Sequence, residues 1–255
     1  MRKSFLGLFI SLLISMGVSS AWSADLEEIL KRGQLIVAVK DDVKPLGFSD
    51  QKGELQGLEI DLARRLAEEL LGDSQAVILQ PVSNRQRLQM VIDGEVDLAI
   101  ARVTITASRN RLVDFSPYYY LDGTGLVIKQ SYLGGLQGLS QGKIAVLKSS
   151  STIAQIRADF PQAELIGVQS YQEALRLLEN NTVDAFAGDN SVLAGWVQDY
   201  PSYRQLPIRL SGEALGVVMP KGIQYASLRD RVNRAIIRWQ KSGWLKERAT
   251  FWGLP

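Results

Sequence analysis

Short apolar runs alternate with amphipathic stretches along almost the whole chain. The run Leu35–Val39, LIVAV, predicts a buried strand, because five apolar residues in a row leave no polar face. In Leu58–Leu71 the residues Leu58, Leu62, Leu66 and Leu70 recur four apart, with Gly72 behind them. That spacing predicts a helix with one buried face and a glycine stop. Strands are also predicted at 76–79, Leu98–Ile100, 123–129, Lys143–Leu147, 163–168 and 183–187. Helices are predicted at 25–32, behind the polar cluster at 83–87, at 153–160, behind Ser170 and at 225–241, while 45–57 is turn-rich. Strand–helix alternation of this kind gives an α/β fold.

Length and composition narrow the class. The chain has 255 residues, 46% of them hydrophobic and 22% charged, which suits one large or two modest globular units. Residues 5–18, FLGLFISLLISMGV, form an apolar core of 14 residues behind Arg2 and Lys3. This predicts a signal peptide over 1–24, too short to span a bilayer, cleaved after Ala21, Ser23 or Ala24. The expected product is an exported, soluble, periplasmic protein with no membrane insertion. Without the two leader cations, 27 basic residues balance 27 acidic ones, which gives no basic face for nucleic acid. With no cysteine and no histidine, disulfides, thiolate metal sites and imidazole catalysis are excluded. No metal or cofactor is expected.

Several segments carry candidate chemistry. In DLAIARVTITASRNRLVDFSPYYY, residues 97–120, a strand leads to Arg102, then Thr104, Thr106 and Arg109. Hydroxyls, backbone N–H groups and a planar guanidinium suit a small carboxylate, although a surface arginine after a turn is the plainer alternative. Lys40 stands at the carboxyl end of the first strand, where ligands sit in open α/β sheets, or where a lysine is simply solvated. Arg87 lies in the cluster SNRQR, as a ligand cation or a surface charge. Lys148-Ser149-Ser150-Ser151-Thr152 joins a strand to a helix start, an anion site or an ordinary cap. Asp189 follows a strand and is either a helix cap or a ligand carboxylate. Glu59 and Asp61 are expected to charge a helix N-terminus. Trp239, Trp244, Phe251 and Trp252 are expected to be packing anchors.

TITASR followed by DFSPYYY resembles the signature of bacterial solute-binding proteins that serve importers of polar amino acids. GLEIDLA, VDAFAGDNSVL, LGVVMPKG and the closing GWLKERATFWG resemble further parts of the same family. The resemblance implies two α/β lobes joined by two crossing strands: 25–129 plus 220–255 as the first lobe and 130–219 as the second. It also implies that Arg109, Thr104 and N–H groups at Ser151 and Thr152 take an amino acid's α-carboxylate, while Asp189 takes its ammonium. VAVKDDV and the arginine cluster resemble members that bind aspartate or glutamate, with Lys40 and Arg87 near the ligand's far end. Arg102 departs from the Gly, Ser or Thr of many relatives; facing the cleft, it adds a third cation. Lys148 reaches either ligand or solvent. Val43 and Leu46 replace aromatics that cover the ligand in several relatives. The implied partners are a small amino acid and an ABC permease, with the receptor as a monomer. Two other classes remain open: a periplasmic cyclohexadienyl dehydratase on the same fold, and a sensing module for a membrane partner.

Overall fold

The computed structural model describes residues 25–148, 150 and 152–255. The expected signal peptide, Ser149 and Ser151 lie outside the described residues.

Two five-stranded sheets organise the chain. In the first, Val77–Pro81, Leu35–Val39 and Leu98–Ile100 run parallel, and Val218–Met219 then pairs antiparallel before Asp114–Phe115 closes the edge. In the second, Glu164–Val168, Lys143–Leu147 and Ala185–Asp189 run parallel, followed by antiparallel Thr124–Lys129 and Tyr203–Gln205. The helix Leu58–Leu71 buries Leu58, Leu62, Leu66 and Leu70 together with Leu35, Val37 and Leu98. Phe186, Leu193 and Trp196 fill one face of the second sheet. Each apolar run is buried because helices cover both sides of its sheet.

The crossing is made by Tyr120–Asp122 and Glu213–Leu215, a short antiparallel pair outside both large sheets. Thr124–Lys129 pairs within the second sheet and Val218–Met219 within the first. Sheet membership therefore draws the division near 122 and 213, not at the expected 129/130 and 219/220. Both of those strands are continuous apolar runs, so the sequence does not reveal where a crossing ends and a sheet strand begins.

The halves also touch. Lys44 Nζ is 2.6 Å from Asp199 Oδ1, and Gln198 Nε2 donates to the Trp252 carbonyl at 2.9 Å. Gly195 is required at this seam: a Cβ there would lie 2.4 Å from the Lys44 carbonyl oxygen. Trp239 is buried, Arg65 stacks on it and on Trp244, and Trp252 donates to Asp61, so these rings are packing anchors as expected. Phe251 departs from that expectation and is exposed.

Candidate functional site

Side chains from both sheets meet at the carboxyl ends of their parallel strands. Leu98–Ile100 runs out into Ala101 and Arg102, and Ala185–Asp189 ends on Asp189. The Arg102 guanidinium forms an ion pair with Asp189 across the two halves, and its Nε lies 4.0 Å from Asp122 Oδ2. Arg102 thus faces inward.

A buried support holds this arginine. Its backbone is left-handed, with φ 50°, and its N–H donates to Glu59 Oε1 at 2.7 Å. Tyr119 donates its hydroxyl to the same oxygen. Glu59 is completely buried, so burial pushes its carboxyl up to about 7, while Tyr119, the Arg102 N–H and the Arg102 and Arg87 charges pull the other way. Burial, and then Glu59 itself, hold the Tyr119 phenol well above its ordinary value. Glu59 sits in the first turn of Leu58–Leu71. It does more than charge that helix end, because it reaches the loop behind the neighbouring strand.

Two further arginines of the first half, Arg87 and Arg109, lie near this point. Arg87 donates from Nη1 to the carbonyls of Ala101, at 2.7 Å, and of Arg102. Burial, then the charges of Arg109 and Arg102, lower its pKa from the usual guanidinium range. Arg109 is half-buried and donates Nη1 to the Thr104 carbonyl at 2.7 Å, and Thr104 bridges to Leu215 of the returning crossing strand. Arg87, Arg102, Arg109 and Thr104 are therefore brought together.

Lys40 is not free to join them. It is 3% exposed, and its ammonium donates to the Val82 carbonyl and pairs with Asp42 Oδ1, both at 2.8 Å. Burying an ammonium requires such partners. The expectation that it lies near a ligand's far end finds its charge already answered. Leu46 is equally committed, fully buried in the core of the first half.

In the second half, Asp189 occupies the N-cap position of Asn190–Asp199 but makes no side-chain cap bond. Asp122 supplies that bond, accepting from Ser191 N at 3.0 Å, from Ser191 Oγ, and from Gly123 N at 2.9 Å. The cap is thus provided from the crossing strand, which leaves the Asp189 carboxylate to face the arginines. Thr152 is 1% exposed, and its Oγ1 has no hydrogen-bond partner among the described residues. Its N–H donates to Ser150 Oγ at 3.2 Å. Lys148 is exposed, with its stem over Gly167, and is not drawn into the arginine cluster. Ser151 lies outside the described residues. Tyr171 joins from the helix Tyr171–Glu179: burial raises its phenol, Arg102 lowers it and Asp122 raises it.

Sequence reasoning missed Glu59, Asp122, Tyr119 and Tyr171 as parts of this site. The local signal was an acid between apolar neighbours, Glu59 between Leu58 and Ile60 and Asp122 after Leu121. A buried acid needs partners, and those partners are far away in sequence.

Residues 35–255 match the sequence model of the bacterial extracellular solute-binding proteins, family 3. The chain belongs to that family. Among the relatives of this family 3 protein, a glutamine-binding protein of Geobacillus stearothermophilus is 36% identical over 202 residues, covering 78% of this chain and 77% of its own. The glutamate-binding protein GluB of Corynebacterium glutamicum is 27% identical, covering 91% of this chain and 82% of its own. Among solved structures, an ancestral cationic amino acid solute-binding protein, AncCDT-1, superposes with a TM-score of 0.75 at 27% identity, covering 89% of this chain and 99% of the other. The two-lobed α/β fold is that of these binding proteins. Among the described residues no helix is long and apolar enough to cross a membrane.

Proposed function

We propose that this family 3 protein captures an acidic amino acid, glutamate or aspartate, outside the cytoplasm and delivers it to the permease of an ABC importer. The observation that carries the reading is the meeting of Asp189, from the second sheet, with the arginine cluster of the first. A zwitterion needs an anionic and a cationic group converging on it, here one from each half. In this reading Arg109 forks onto the α-carboxylate with Thr104 and the N–H groups at Ser151 and Thr152, and Asp189 takes the ammonium. Arg87 and Arg102 face the side-chain acid. Contacts from both halves make closure depend on the ligand, by a hinge at Tyr120–Asp122 and Glu213–Leu215. Buried charges left unpaired are costly, so ligands lacking either α-group are rejected. The protein acts as an exported monomer, released from its leader at 1–24, and does not transform its ligand.

Glutamine is the second reading. It is favoured by Lys40, whose charge is neutralised internally by Asp42, and by the name of the Geobacillus relative. Titration calorimetry on protein unfolded, stripped and refolded, against a panel of amino acids, tests both. Tight glutamate or aspartate binding supports the first reading and tight glutamine binding alone the second. Binding of arginine or leucine with none of these three sinks both. An absorbance change with prephenate or arogenate would overturn the non-catalytic reading.

A further inference from the structure

We propose that Asp122 is a positioning residue for amino-acid capture: by capping the helix Asn190–Asp199 in place of Asp189, it keeps the Asp189 carboxylate available to a ligand's ammonium. This rests on the reading of Asp189 as the ammonium partner.

Asp189 stands where a helix takes its cap. It precedes Asn190 with an extended backbone, φ −68° and ψ 134°. An aspartate there ordinarily accepts from the N–H two or three residues on. Asp189 makes no such bond. The N–H two residues on, that of Ser191, donates to Asp122 Oδ1 at 3.0 Å instead. Asp122 Oδ1 also accepts from Gly123 N at 2.9 Å, and its Oδ2 accepts from Ser191 Oγ. Asp122 and Ser191 are both buried, so water does not compete for these bonds. Arg102 Nε, 4.0 Å away, is farther off than any of these donors, so the carboxylate is committed to the helix.

The backbone fixes the same junction. Asn190 N donates to the Gly123 carbonyl at 2.7 Å, and Asp189 pairs with Thr124 at the end of its strand. Thr124 N in turn donates to Ser211 Oγ at 2.9 Å. Gly123 passes so close to the returning chain that a Cβ would lie 2.0 Å from the Ser211 carbonyl oxygen. Both crossing segments thus meet at the first turn of this helix. The cap is delivered by the chain's passage between the halves, not by the helix's own sequence.

Without the Asp122 carboxylate, the Ser191 N–H is a buried donor with no partner, which is costly. Asp189 is placed by chain position to answer it, and in doing so turns its carboxylate back along its own helix. A cap of ordinary strength leaves about one molecule in ten with Asp189 free, and apparent affinity falls in proportion.

The test compares Asp122→Ala with Asp122→Asn, by calorimetry with glutamate and glutamine and with their desamino counterparts, glutarate and glutaramate. Asp122→Ala is expected to bind the amino acids at least about tenfold more weakly and the desamino acids unchanged, and its crystal structure to show Asp189 accepting from Ser191 N. Asp122→Asn keeps a capping carbonyl and an amide that donates to Ser191 Oγ, and is expected to bind within about threefold of the parent. Equal losses for amino acids and desamino acids would show general damage and overturn the proposal. So would an Asp189 that stays off its helix in Asp122→Ala. An Asp122→Asn as weak as Asp122→Ala would assign the effect to charge and overturn it too. Asp122→Ser, one bond too short to reach the helix, takes the place of Asp122→Ala if that variant does not fold. Capture of Ser191 by Asp189 in a protein whose parent binds none of these amino acids would overturn the ammonium reading and leave the cap exchange standing.

Discussion

The two halves are built to one plan and used for opposite chemistry. Each has three parallel strands and then an antiparallel strand contributed by the chain just after it crosses, Thr124–Lys129 in one and Val218–Met219 in the other. Each offers its site at the carboxyl ends of the parallel strands. The first half fills that edge with cations tied to its own carbonyls: Lys40 on Val82, Arg87 on Ala101 and Arg109 on Thr104. The second presents the Asp189 carboxylate, freed from capping by Asp122. Identical topology thus fixes where a site lies, while a few residues on the last turn of each strand decide its charge.

The sharpest break in this contrast is Asp189→Ala. It removes the anionic side alone and is expected to weaken amino-acid binding at least about a hundredfold, roughly 3 kcal/mol, measured by calorimetry. Glu59 tests the support beneath the cationic side. Its folded carboxyl titrates at about 7 against an ordinary 4.5, so the folded protein holds this proton more tightly than the unfolded chain. The stabilising contribution is full below about pH 4.5, falls as the pH rises towards 7 and is absent above it, a change on the order of 3 kcal/mol. Glu59→Gln is expected to flatten that slope in urea unfolding at pH 5 and pH 8. A slope equal to the parent's would show that another group titrates.

Lys40→Met asks whether the first strand's cation is structural. A loss of about 2 kcal/mol in stability with unchanged ligand preference is expected, since the Val82 carbonyl loses its donor. A change of preference at constant stability would return Lys40 to the ligand. Thr152→Val probes the second half in the same way. Because the proposed ligand contact is the Thr152 N–H, which valine keeps, removing this unpartnered buried hydroxyl should leave stability within about 1 kcal/mol and ligand affinity within about twofold. Lys44→Ala is a similarly small step. It deletes an exposed pair with Asp199 and should change affinity less than about fivefold, less still at high salt.

Most of the architecture was legible in the pattern. LIVAV, the leucines of Leu58–Leu71, and Lys143–Leu147 each fold as their local pattern dictates. The crossing was misread because GTGLVIK looks the same whether it joins two sheets or lies within one. Arg87, Arg102, Arg109 and Asp189 were identifiable as candidates because they are charged residues just beyond strands or at helix starts, and Thr104 because its hydroxyl lies among them. Lys40 looked equally available; one of its partners, Asp42, is two residues on, but the other, the Val82 carbonyl, is 42 positions away. The aspartate at 122 hides in an apolar run, and its capping of a helix 69 residues on leaves no local trace.

By itself the sequence determined the elements and the family, because strand and helix periods are local and TITASR with DFSPYYY is a contiguous signature. Which cations are answered internally and which face the opposing half was decided only by the tertiary structure. The physical reason is that burying a charge is tolerable only with a partner, and here the partners are carbonyls and carboxylates brought together from distant parts of the chain.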